Sequence, residues 1–186
     1  MKFPIPILLG VAYGLSEVGL SLLKRSRDDS VDADDSSLRM LWITIMVAMT
    51  AGILVSSRAP GAVIASRAVF WAGCALFGLG LALRWYAIVY LGRFFTVNVA
   101  IHSGHEVIDT GPYRLIRHPS YAGALLAFLG VALCLANWWS LVLIMVPVLW
   151  AFGRRMSVEE SALANALGAP YVQYMARTKR LAPFIY

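Results

Sequence analysis

Charge is what this sequence is shortest of. Only 14% of its 186 residues are Asp, Glu, Lys or Arg, against about 25% in soluble domains. With 60% of residues hydrophobic, a water-soluble globule is excluded and a membrane protein is implied. Cysteine is scarce too. Cys74 and Cys134 both fall inside apolar runs, where a thiol behaves as a small hydrophobe, so they define neither a disulfide framework nor a redox compartment. There is no GxSxG, no Walker loop and no GxGxxG, which leaves nucleophile-elbow hydrolysis and P-loop chemistry without support. No second compositional regime divides the chain, which by length is one domain.

Long apolar runs are what the sequence has instead. Residues 3–23 match the roughly 20 residues needed to cross a bilayer. They carry Glu17 and lack a clear small-residue cleavage site, so they read as a first transmembrane helix rather than a signal peptide. Gly10 and Gly14 have the spacing of a close-packing helix pair. A second helix is expected from about Met40 to Val55, ending before the turn signal SSRAPG, and a third from about Ala68 to Leu91. Arg84 lies inside the third, where snorkelling to the headgroups is the simpler expectation than a functional charge. After a long polar stretch, residues 92–120, come two apolar segments separated by Asn137-Trp138-Trp139. Each is short for a full crossing, which implies a tight helical hairpin with the Trp pair at the interface. From Arg154 onward an amphipathic, water-facing tail is expected. The fold class is therefore all-α and polytopic, with about five transmembrane helices, a polar loop and a C-terminal helix. Residues 1–91 form a first half, and residues 92–186 a second half that holds the chemistry.

The net charge of +6 does not point to nucleic acid, because the cations sit at the ends of apolar segments rather than along one polar face. With the N-terminus outside, all 16 Lys and Arg except Lys2, Arg58 and Arg67 fall on the inner side. The positive-inside rule then puts the 92–120 loop and the tail together in the cytosol.

Two polar clusters stand out. In GPYRLIRHPSYAG, residues 111–123, Pro119 keeps His118 out of the helical region and suits the first turn of the next helix. The free amides of that turn favour an anion. Tyr121 offers a ring and a hydroxyl, and Gly123 lets a ligand approach the backbone. The competing reading is a membrane-interface anchor. The second cluster, Arg154, Arg155, Glu159 and Glu160, follows the last apolar run, and Arg155 and Glu159 share a helical face at i,i+4. A solvated salt bridge is the plainer explanation of that pair. His102, His105, Glu106 and Asp109 do not form HExxH and have no nearby cysteine, so no metal site is expected. The aspartates of residues 28–35 lack the glycine and terminal glutamate of a calcium loop.

GHEVIDTGPYRLIRHPSYAG, a hydrophobic hairpin and RRMSVEESALANALGAPYVQYMARTKRLAPFI, taken in order, resemble the C-terminal catalytic half of the isoprenylcysteine carboxyl methyltransferases. The related phospholipid N-methyltransferases share much of the pattern. The resemblance covers about residues 92–186; it departs at Leu167, where an aromatic is usual, and at KRLAP. It implies a cytosol-facing S-adenosylmethionine site lined by His118, Tyr121, Gly123 and the backbone near Val107 and Ile108, with Glu160 closing it. Arg155 and Glu159 would face a lipophilic acceptor, such as a prenylated one, drawn from the bilayer lipids. A carboxylate acceptor, ionised near neutral pH, needs no strong base, and Arg155 can hold it bidentately. An amine acceptor needs one, and Glu159 or Glu160 is available. Carboxyl O-methylation is preferred, with N-methylation of a lipid as the runner-up. Other classes are an NADPH-dependent reductase of the sterol C14-reductase type, whose members are larger, and a non-catalytic membrane protein.

Overall fold

The computed structural model describes residues 4–23, 35–59, 62–64, 66–95 and 107–183. Among them six α-helices follow in order: α1 (Pro4–Leu23), α2 (Asp35–Arg58), α3 (Arg67–Leu91), α4 (Pro119–Cys134), α5 (Trp138–Leu167) and α6 (Ala169–Arg177). Three of them contain spans long and apolar enough to cross a membrane, Ser36–Arg58, Arg67–Leu91 and Trp138–Leu167. Ile5–Leu20 and Pro119–Cys134 are shorter apolar helices. Trp71, Leu79 and Val89 on α3 and Leu15 on α1 point outward and exposed, as side chains solvated by lipid do. The described residues are helical apart from short connections, and the chain is an integral membrane protein.

Local chemistry sets the helix ends. The Ser66 side chain accepts from Val69 N at 3.3 Å to cap α3, and Asn137 Oδ1 accepts from Ser140 N at 3.1 Å to cap α5. Asn137 also donates through Nδ2 to Ala59 O at 3.0 Å, so the 135–137 turn joining α4 to α5 is fastened to the end of α2. Gly168, at φ 63°, breaks α5 from α6 in a conformation that only glycine adopts cheaply.

Helix α3 runs antiparallel to α4 at very close range, because glycines face one another twice. A Cβ on Gly80 would stand 2.5 Å from Gly123 O, and one on Gly130 would stand 2.5 Å from Gly73 O. Small residues replace the hydrophobic effect as the source of association where lipid is the solvent. Gly123→Ala is therefore expected to cost about 1–3 kcal/mol by overpacking, whereas Gly78→Ala, with nothing within 4 Å, should stay within about 0.5 kcal/mol. Unfolding of the two variants in detergent measures the difference. The other side of the core joins α2 to α5, where Ser140 Oγ donates to Gly52 O at 2.7 Å.

Four expectations change. Gly10 and Gly14 do not make a close helix contact: Gly14 has nothing within 4 Å and Gly10 only the tip of Met49 at 3.8 Å. Helix α2 extends beyond both expected ends, over Asp35–Arg58. Helix α5 does not stop near Arg154 but continues to Leu167, since the following residues are mostly good helix formers and a lone Gly153 costs only about 1 kcal/mol. Arg84 does not snorkel; it is buried because α1 supplies it with an acid.

Candidate functional site

The site lies where α4 begins and α5 ends. Chain entry is through residues 107–118. After a one-turn 3-10 helix, Gly111–Arg114, the backbone extends and pairs in parallel with the C-terminal tail, Ile116 opposite Lys179. Arg117 N donates to Lys179 O at 2.7 Å and His118 N to Arg180 O at 3.0 Å. Tyr174 on α6 fixes the same segment, its hydroxyl donating to Tyr113 O at 2.7 Å, while the Tyr113 hydroxyl donates to Ala87 O at 3.2 Å. Burial pushes both phenols above their ordinary range, which keeps them protonated as donors. Asp109 is ion-paired with Arg177.

Pro119 then opens α4 and leaves His118 at its N-cap. The His118 ring is buried and sits 3.1 Å through Nε2 from Glu160 Oε1. The Glu160 carboxylate also accepts from Arg117 Nε at 2.8 Å and from Arg180 Nη2 at 2.6 Å. One buried acid thus gathers donors from the loop, the start of α4 and the tail. Arg117 Nη1 donates in turn to Met175 O at 3.2 Å and to Thr178 O, which ties the tail a second time.

One helical turn on, Tyr121 stacks on His118 with ring centroids 5.4 Å apart and planes 14° from parallel. Its other neighbour is the edge of Phe152, at 5.3 Å. The Tyr121 hydroxyl donates to Glu159 Oε2 at 2.6 Å, with the Arg155 charge nearby. Arg155 is 1% exposed, and its Nη1 donates to Ser37 Oγ at 2.7 Å. A guanidinium this deep is not part of a solvated surface pair. A second charge is buried at the start of α4. Arg84 Nε and Nη2 donate to both oxygens of Glu17 at 2.5 and 2.6 Å, and Nη1 donates to Ser120 O at 3.2 Å.

Of the residues singled out from sequence, His118, Tyr121, Arg155, Glu159 and Glu160 come together here. Val107 and Ile108 are half-buried at the start of the entry segment. Gly123 is corrected: the face its missing side chain leaves open is filled by α3, with Arg84 N 2.5 Å from the Cβ position, so it packs helices rather than admitting a ligand there. Arg154 is exposed. His102, His105 and Glu106 lie outside the described residues. Sequence reasoning missed Ser37, Arg180 and the Glu17–Arg84 pair. The last had a signal, an acid and a base each embedded in a separate apolar run.

Helices packed through glycine, apolar outer faces and a buried polar cluster at one end define an integral membrane protein with a candidate site at one end of its helix bundle. Residues 71–165, from α3 to most of α5, match the isoprenylcysteine carboxyl methyltransferase (ICMT) family, and the chain belongs to that family. It is 34% identical over 115 residues to protein-S-isoprenylcysteine O-methyltransferase B of Arabidopsis thaliana, covering 61% of this chain and 58% of that protein. It is 38% identical over 116 residues to protein-S-isoprenylcysteine O-methyltransferase of Saccharomyces cerevisiae, covering 61% and 48%. A solved structure of a eukaryotic intramembrane Ras methyltransferase, an isoprenylcysteine carboxyl methyltransferase, superposes with a TM-score of 0.65 at 25% identity, over 82% of this chain and 54% of that one. The chain thus spans about half the length of the relatives it matches.

Proposed function

We propose that this protein is an integral membrane S-adenosylmethionine-dependent methyltransferase that O-methylates the carboxylate of a prenylcysteine-like acceptor. The observation that carries the proposal is the convergence of His118, Tyr121, Arg155, Glu159 and Glu160 at one end of the bundle. The relatives' names agree with it. All of α1 to α5 are taken to cross the bilayer, α4 and α5 as a tight hairpin, with the site facing the cytosol as the positive-inside count requires. Residues 92–186 supply most of the site, and α2 and α3 add Ser37 and Arg84.

The residues fit the cofactor. The Glu159 carboxylate suits a cationic sulfonium or ammonium, and the first turn of α4 suits an amino-acid carboxylate. His118, Tyr121 and Glu160, with the backbone of Val107 and Ile108, would hold it. S-adenosylmethionine supplies, when bound, a methyl group on a positively charged sulfur. The protein's own part is orientation and electrostatics. Arg155 orients the acceptor carboxylate, and Tyr121 and Glu159 fix each other beside it. The buried ring stack of His118, Tyr121 and Phe152 keeps water away. The acceptor carboxylate is ionised already, with a reference pKa of about 3.3–3.7, so no proton has to be removed. N-methylation is the second reading and rests on Glu159, a carboxylate within the site that is able to take an amine proton.

Calorimetric titration of the purified protein in detergent with S-adenosylmethionine, S-adenosylhomocysteine and NADPH is the test. The first two are expected to bind and NADPH is not, with His118→Ala weakening both by about tenfold or more, or roughly 1.4 kcal/mol. NADPH uptake alone would move the protein to the reductases. With binding established, methyl transfer to prenylcysteines against aminolipids separates the two acceptors.

A further inference from the structure

Helix α1 lies outside the residues matched to the family, yet its Glu17 is the partner of a buried arginine inside them. Arg84 uses all three of its nitrogens: two grip Glu17 and the third reaches the carbonyl of Ser120. Ser120 sits in the first turn of α4, between Pro119 and Tyr121. The same stretch of α1 contacts α3 again through Trp85 Nε1, which donates to Ser16 Oγ at 2.7 Å. It also enters a ladder of rings. Tyr13 lies 4.7 Å from Phe128, Phe128 lies 6.3 Å from Phe152, and Phe152 flanks Tyr121. An ion pair sealed between membrane helices is costly, and simple packing of α1 needs no charge, because the apolar ladder does that already.

We infer that Glu17 is a positioning residue of the site: by holding Arg84 on Ser120 O it fixes the first turn of α4, and with it the Tyr121 hydroxyl between Glu159 and Arg155. The inference rests on the methyltransferase reading for its kinetic consequence but not for its structural one. A neutral residue at position 17 leaves Arg84 without its bidentate anchor, and the guanidinium then has no reason to stay on the Ser120 carbonyl. Tyr121 gains freedom while the ring ladder still holds α1 in place.

The experiment uses the full chain in detergent with Glu17→Gln and Arg84→Lys, the latter keeping the charge and losing the planar fork. Amide hydrogen exchange is followed at Ala122, Gly123 and Ala124 and, for comparison, at the far end of α4. S-adenosylhomocysteine binding sites are titrated, and turnover with a prenylcysteine acceptor is expressed per site. Glu17→Gln is expected to speed exchange in the first turn by about tenfold with the far end unchanged, and to lower turnover per site by about tenfold while the affinity for S-adenosylhomocysteine stays within about threefold. Arg84→Lys should fall between. Exchange and turnover per site within twofold of the parent, with only thermal stability reduced, would overturn the inference and leave the pair a packing device. Should Glu17→Gln not assemble, Arg84→Lys carries the same comparison. A parent protein that binds no S-adenosylhomocysteine would sink the methyltransferase reading, while the exchange measurement would still decide whether Glu17 positions α4.

Discussion

Glu160→Ala is expected to free the C-terminal tail and to abolish measurable cofactor binding. The carboxylate is the common acceptor for His118, Arg117 and Arg180, and removing it leaves Arg117 and His118 with their surroundings still closed over them. Breaking a buried charge pair from one side costs about 3–5 kcal/mol, and here the loss falls on contacts that join three segments distant in sequence. Residues 178–180 keep their backbone pairing to residues 116–118 and the Arg117 Nη1 contact to Thr178 O but lose the carboxylate that anchors Arg117 and Arg180, so trypsin should cut after Arg177, Lys179 or Arg180 much faster in the variant. Glu160→Gln keeps an acceptor oxygen and loses the charge, and should recover part of the protection. The measurement is digestion time in detergent alongside S-adenosylhomocysteine titration. Protection equal to the parent's would mean that the backbone pairing and Arg117 hold the tail without Glu160.

The helices were largely legible in the sequence, for physical reasons that can be named. Apolar runs in a charge-poor chain have to satisfy their backbone internally, so helices were the available answer, and Pro119 and Asn137 mark ends that the structure keeps. Helix contacts were less legible. Gly10 and Gly14 have the spacing of a contact and make none, whereas Gly73 and Gly80 on α3 and Gly123 and Gly130 on α4 make two. Spacing identifies a face but not what lies against it. The pairing of residues 116–118 with 178–180 carries no pattern at all, since a few extended residues bonded through their backbone leave side chains unconstrained.

At the site, side-chain chemistry was a better guide than position. His118, Tyr121, Arg155, Glu159 and Glu160 were conspicuous because polar groups beside apolar helices are expensive. Arg84 was conspicuous for the same reason, but it was read alone. Its partner lies 67 residues away, and without the fold nothing in the sequence connects the two. Gly123 is the opposite case, a glycine whose open face is filled by a neighbouring helix rather than a ligand.

Arg155 carries the largest expected catalytic effect. It is fully buried at the site end of α5, held by Ser37 from α2 and adjacent to the Tyr121–Glu159 pair. If it orients the acceptor carboxylate, Arg155→Ala should lower kcat/KM by about a hundred- to a thousandfold, or roughly 3–4 kcal/mol, with S-adenosylhomocysteine affinity nearly unchanged. Arg155→Lys should not restore activity, because a flexible point charge does not reproduce a fork aligned by Ser37. Ser37→Ala, which removes one alignment and leaves the cation, should cost about a few-fold to tenfold, in line with the roughly 0.5–1.5 kcal/mol net contribution of a single hydrogen bond. The ordering of the three variants is the informative result. Equal losses for lysine and alanine identify the fork as the working feature. A loss of cofactor affinity as large as the loss in kcat/KM would instead put Arg155 on the cofactor side and leave the acceptor to Glu159.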